Sequence, residues 1–99
     1  MVKSMGKTQS YSGLFIIVPE KQDTIDEITG KIGSIVNENS GNIVKENMMG
    51  KKPLAYPIKK RTEGVYYEIQ FTAPTESVSG MMKEFRINTD ILRTLIDKR

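Results

Sequence analysis

Residues 50–61 read GKKPLAYPIKKR and gather the side chains of this chain best suited to holding an anion. Lys51 and Lys52 lead into a small apolar and aromatic block, and Lys59, Lys60 and Arg61 follow it. Cationic side chains neutralise phosphates and release the counterions condensed on a polyanion, which makes affinity fall with salt. Tyr56, within the block, has a ring face on which an unpaired base or a sugar can stack. Pro53 and Pro57 stiffen the segment and lower the entropy lost on binding. These residues alone leave a second reading open, in which Leu54, Tyr56 and Ile58 anchor a loop onto the edge of a sheet.

The surrounding charge pattern supports a polyanionic partner. Residues 20–40 carry five acids and two bases, whereas residues 45–61 carry six bases and one acid, in a chain of net charge +3. A local cationic field of this kind attracts anionic macromolecules. Catalytic chemistry has little to stand on. The chain has no His and no Cys, which removes the commonest proton-transfer group, the commonest metal ligands and any disulfide framework. Ser77 and Ser79 lie at the start of a helical pattern, where capping accounts for serine. Glu63 and Glu68 are too isolated to form a tuned carboxylate pair. No glycine pattern matches a phosphate-cradling loop, and the six Met residues read as core filler. The expectation is a non-enzyme with no metal and no cofactor.

At 99 residues the chain suits one compact domain. No apolar run approaches the roughly 18 residues that cross a bilayer, and the absence of Cys fits a cytoplasmic, reducing compartment. Residues 1–10 hold Lys3 and Lys7 without an apolar stretch. They are expected to form a flexible tail rather than a secretory signal, leaving residues 11–99 as the domain.

Periodicity supplies the elements that would position the basic segment. Residues 11–18, YSGLFIIV, are short, β-branched and aromatic, which predicts a strand apolar on both faces and covered on both sides. Ile25, Ile28, Ile32, Ile35 and Val36 follow a helical stripe over residues 23–39. Asp23 or Thr24 is available as its cap, and Asn39, Ser40 and Gly41 stop it. Gly30 and Gly33 within that helix are expected to allow close approach to a sheet. Residues 42–52 predict a second strand, followed by a loop through Gly50, Pro53 and Pro57 to Lys60. In residues 65–71, Val65, Tyr67, Ile69 and Phe71 alternate with Tyr66, Glu68 and Gln70, the pattern of a half-buried strand. Residues 75–87 predict a second helix with Val78, Met81, Met82 and Phe85 inward and Thr75 or Ser77 as cap. Residues 91–96 form a last strand.

The order β-α-β-β-α-β is the split βαβ arrangement. It predicts an α+β, ferredoxin-like βαββαβ sandwich: a four-stranded antiparallel sheet with two helices on one face. The other face should carry Leu14, Ile16, Tyr66, Glu68 and Gln70. An apolar patch there suggests a partner surface.

At residues 54–58, LAYPI, the chain resembles the bacterial small-subunit ribosomal protein S-six family. Gly50, Lys51 and Lys52 before the block, Lys59 and Lys60 after it, and Gly64 with the strand at 65–71 carry the likeness. Tyr11, residues 15–19, and Glu84-Phe85-Arg86-Ile87 leading to Arg93 extend it over residues 11–95. The resemblance implies a structural, RNA-binding protein of the ribosome. It would bind the central domain of small-subunit ribosomal RNA and form a heterodimer with ribosomal protein S-eighteen. It further implies that Lys51, Lys52, Tyr56, Lys59, Lys60, Arg61, Arg86 and Arg93 face RNA, and that Leu14, Ile16 and Tyr66 face the protein partner. Asn88 and Pro53 stand where the family often has a base, and Thr94 where a branched apolar residue is frequent; Pro53 leaves open which side chain of the segment reaches phosphate. Two other functions fit the same topology. An RRM-like reader of single-stranded RNA would need exposed aromatics on the central strands, where only Tyr66 qualifies. A ligand-sensing or small enzymatic domain would need a pocket with convergent polar groups.

Overall fold

The computed structural model describes residues 8–99. Four strands and two helices appear in the expected order: β1 (Thr8–Ile17), α1 (Ile25–Glu38), β2 (Asn42–Ile58), β3 (Arg61–Pro74), α2 (Val78–Ile87) and β4 (Ile91–Lys98). Short 3-10 turns, Pro19–Thr24 and Thr75–Ser77, lead into the two helices. The sheet order is β2-β3-β1-β4 and every pairing is antiparallel. The fold is the ferredoxin-like α+β sandwich.

The helical stripes and the alternation of β3 account for the core. Ile28, Ile32 and Val36 of α1 and Met81 and Phe85 of α2 are buried against Phe15, Ile17, Val65, Tyr67, Ile69 and Phe71. Phe15 meets Phe85 edge-on with ring centroids 4.8 Å apart, and Tyr11 stacks on Phe71 at 5.5 Å. Such geometries add to the area buried by each ring. Thr24 and Ser77 occupy the positions before the helices, but neither side chain caps them. The end of α1 is tied more firmly. The Asn39 amide donates to Ile35 O at 2.8 Å and to Glu84 Oε2 at 2.9 Å, joining α1 to α2. Ser40 takes φ 65, and Gly41 N–H then donates to Val36 O at 2.8 Å.

Met48 and Met49, expected as core filler, are exposed on β2, whereas Met81 is buried. Four further expectations change. First, β1 begins at Thr8, not Tyr11. Thr8, Gln9 and Ser10 pair with Pro74, Ala73 and Thr72, because main-chain pairing needs no apolar side chain. The rest of the expected tail lies outside the described residues. Second, β1 is not covered on both sides. Helices cover Phe15 and Ile17, whereas Leu14 on the other face is only half-buried. Third, a Cβ at Gly30 would touch nothing within 4 Å and one at Gly33 only Ile43, at 3.7 Å; close approach occurs instead at Gly64, where a Cβ would overlap Ile16 Cγ2. Fourth, the expected loop at residues 50–60 is the far half of a long hairpin. Lys59 and Lys60, with φ 48 and 70, form a two-residue turn closed by the Ile58–Arg61 pair. Positive φ at both central positions matches the twist of a hairpin, although neither residue is Asn or Gly. Between the Pro53–Glu63 and Ile58–Arg61 pairs, the four residues Leu54 to Pro57 face Thr62 alone. This wide bulge on an edge strand accommodates Pro57, which has no N–H to give the ladder.

Candidate nucleic-acid interface

Strand register decides which side chains share the uncovered sheet face. Leu14 pairs with Glu68 and Leu95, and Ile16 with Tyr66 and Arg93. These residues therefore point away from the helices, together with Ser12, Gln70 and Asp97. The face divides in two along the strands. At one end Ser12 Oγ donates to Glu68 Oε2 at 3.4 Å, and Arg99 Nη1 donates to Gln70 Oε1 at 2.6 Å. At the other end Leu14, Ile16, Tyr66 and Leu95 line a shallow groove of about 240 Å³, walled by Leu54, Ala55, Tyr56 and Ile58 of the bulge. Gly64 gives Leu54 and Ile16 room to lie side by side. Leu54 and Ile58 pack against the core, as the anchoring reading anticipated, but Tyr56 stays 60% exposed. Leu95, 45% exposed, belongs to this groove and was not anticipated; the alternation of β4 around Arg93 was the signal for it.

The basic residues separate into groups. Lys59, Arg86 and Arg93 come together from the hairpin turn, the end of α2 and the start of β4. They rim a cavity of about 230 Å³ whose other lining residues are Met82, Phe85, Ile91, Leu92 and Thr94. Among the described residues, no carboxylate lines it and none pairs with these three cations. Arg86 sits in the last turn of α2, where the helix dipole favours positive charge. Arg93 lines the cavity and also the apolar groove, and its Nη1 donates to Tyr56 Oη at 3.1 Å. Lys60 stands beside this group at the turn.

The remaining three bases are placed differently. Lys51 pairs with Val65 and Lys52 with Gly64, so they point to opposite faces. Lys52 Nζ lies 5.9 Å from the Tyr66 ring centroid, at the edge of cation–π range. Arg61 is engaged within the fold. Its guanidinium donates to both carboxylate oxygens of Glu20 and to Lys59 O. This bond holds the Glu20 carboxyl below its usual range and raises Arg61 above its own. The pair pins the hairpin turn to the 3-10 turn before α1. Elsewhere, burial chiefly, with the Tyr67 Oη–Glu46 hydrogen bond of 3.0 Å, pushes the Tyr67 phenol well up. No group of three or more potential metal-ligating side chains occurs among the described residues.

The domain is ferredoxin-like, and among the described residues an apolar groove and a cationic cavity lined by no carboxylate meet at Arg93. A family model described as Ribosomal protein S6 matches residues 10–98. The chain belongs to that family. It is 41% identical over 91 residues to small ribosomal subunit protein bS6 of Campylobacter hominis, covering 89% of this chain and 61% of that relative's length. With bS6 of Pseudarthrobacter chlorophenolicus it shares 33% identity over 89 residues, covering 89% and 88% of the two chains. The crystal structure of 30S ribosomal protein S6 from Thermotoga maritima superposes with a TM-score of 0.87 at 28% identity, covering 94% of this chain and 89% of that one.

Proposed function

We propose that this protein is a structural constituent of the small ribosomal subunit in the cytoplasm. It binds the central domain of small-subunit ribosomal RNA together with ribosomal protein S-eighteen. RNA phosphates meet the cluster of Lys59, Lys60, Arg86 and Arg93, with Tyr56 beside it and Lys51 and Lys52 extending the contact along β2. Leu14, Ile16 and Tyr66 contribute the floor on which the protein partner docks. Arg61, held by Glu20, acts chiefly by fixing the turn that presents Lys59 and Lys60. The work is positional, with no turnover, cofactor or small-molecule substrate.

The observation that carries this reading is the junction of a carboxylate-free basic cavity with an exposed apolar groove. The names of the relatives, small ribosomal subunit proteins, agree with it. The RRM-like alternative has less support. On the central strands Tyr66 is the one aromatic of the open face, Lys52 overlies it, and β1 offers Ser12, Leu14 and Ile16. The test is RNA binding across a salt series, with and without ribosomal protein S-eighteen. Salt-dependent binding that strengthens with the partner supports the reading, and no binding in either condition overturns it.

A further inference from the structure

We infer that the helix layer carries a further docking site, a trough between α1 and α2 that takes a protein segment bearing lysine or arginine beside a branched apolar side chain. The trough has a volume of about 500 Å³ and shares no lining residue with the apolar groove or the cationic cavity. The function proposed above leaves it unused.

Helix geometry builds the walls. Residues three and four apart share a helix face, so Lys31, Ser34, Ile35 and Glu38 form one wall on α1, and Glu84 and Ile87 the other on α2. The turn from Asn88 to Asp90 closes one end. The inward stripe of α2 ends at Phe85. Ile87 lies about 200° further round the helix and stays 78% exposed. A lone exposed isoleucine is ordinary, but this one shares its trough with half-buried Ile35, and together they make an apolar strip between charged rims. The rims hold three carboxylates, Glu38, Glu84 and Asp90, against one ammonium, Lys31; among the described residues none of the four is in an ion pair. That balance repels phosphate, which disfavours nucleic acid as the occupant, and complements a cationic segment. The width of the trough is set in advance. The Asn39 amide bridges Ile35 O and Glu84 Oε2, while Asp90 N–H donates to Asn88 Oδ1 at 2.9 Å and Asp90 O accepts from Val18 N–H at 2.9 Å. A trough formed beforehand lowers the cost of ordering on binding.

The probe is a short capped peptide of alternating lysine and leucine, titrated into the full chain and followed by backbone amide NMR. The control is the glutamate–leucine peptide of equal length. The expected result is a set of shifts around Ser34, Ile35, Glu38, Glu84 and Ile87 that shrinks with salt and is absent with the control. Ile87→Ser and Ser34→Lys should each weaken binding by ~5-fold or more, and Glu84→Gln, which keeps an acceptor for Asn39, by ~2-fold. Ser34 and Ile87 are both exposed, and an otherwise unchanged amide spectrum shows that each variant is folded. Equal binding of the two peptides overturns the inference, because apolar contact alone would then suffice. Shifts centred on Leu14, Ile16 and Leu95, unaltered affinity in Ile87→Ser and Ser34→Lys, or no binding of the lysine–leucine peptide also overturn it. None of these outcomes bears on the RNA reading.

Discussion

The two ends of the open sheet face share β1 and β3 yet behave as different surfaces. At the Ser12 end, hydroxyl, carboxylate, amide and guanidinium groups bond to one another across β1, β3 and the end of the chain. At the Leu14 end, the exposed side chains are apolar and the cations beside them lack carboxylate partners among the described residues. Polar groups that satisfy each other gain little from a new partner, because docking must first break what they have. Apolar area left in water, beside unpaired charge, gains on contact from both burial and counterion release. What sets a recognition surface apart is which groups of a face are left unsatisfied, more than which face is open.

The largest expected effect breaks the apolar end. Leu14→Glu should weaken binding of ribosomal protein S-eighteen by ~30-fold or more, the scale of a central interface residue. Ser12→Glu, one inter-residue step along the same face, should change it by less than ~2-fold on the scale of a peripheral contact. Isothermal titration of both variants decides this, with circular dichroism to show that each is folded. Equal losses would erase the distinction between the two ends.

Next come the cations. Lys59→Ala, Arg86→Ala and Arg93→Ala should each lower the slope of log affinity against log salt by about one unit. Gln70→Ala at the polar end should leave the slope unchanged. The smallest effect concerns the turn. Lys60→Gly relieves a left-handed conformation at a residue with a side chain and should raise stability by about 0.5 kcal/mol, since glycine's extra freedom when unfolded offsets part of the gain. The same variant should lose RNA affinity at low salt. Urea unfolding and the salt series together read this separation of stability from binding.

Much of the architecture was legible in residue order. The stripe of Ile28, Ile32 and Val36 and the alternation of Val65, Tyr67, Ile69 and Phe71 each have a period that one element satisfies, and all seven are buried. The hairpin was harder to read. Gly50, Pro53 and Pro57 are ordinary loop punctuation, and the two-residue turn falls on Lys59 and Lys60 rather than on Asn-Gly. What lets the strand continue is its place at the sheet edge and a bulge, both of which are properties of tertiary pairing. The candidate site was legible as a list of bases but not as an arrangement. Lys51 and Lys52 are neighbours in the chain and face opposite ways, whereas Lys59, Arg86 and Arg93 are distant in the chain and share a cavity. That Arg61 answers to Glu20 depends on where the turn closes, which composition does not encode.

A backbone amide NMR titration of the folded chain, first with the RNA central domain and then with ribosomal protein S-eighteen, tells the two ends of the face apart. The expected result is that RNA shifts the amides around Lys59, Arg86 and Arg93, that the partner shifts those around Leu14, Ile16, Tyr66 and Leu95, and that Ser12, Glu68 and Gln70 stay still in both. Shifts centred on Ser12, Glu68 and Gln70 would overturn this assignment, because binding would then use the end of the face whose polar groups already satisfy one another.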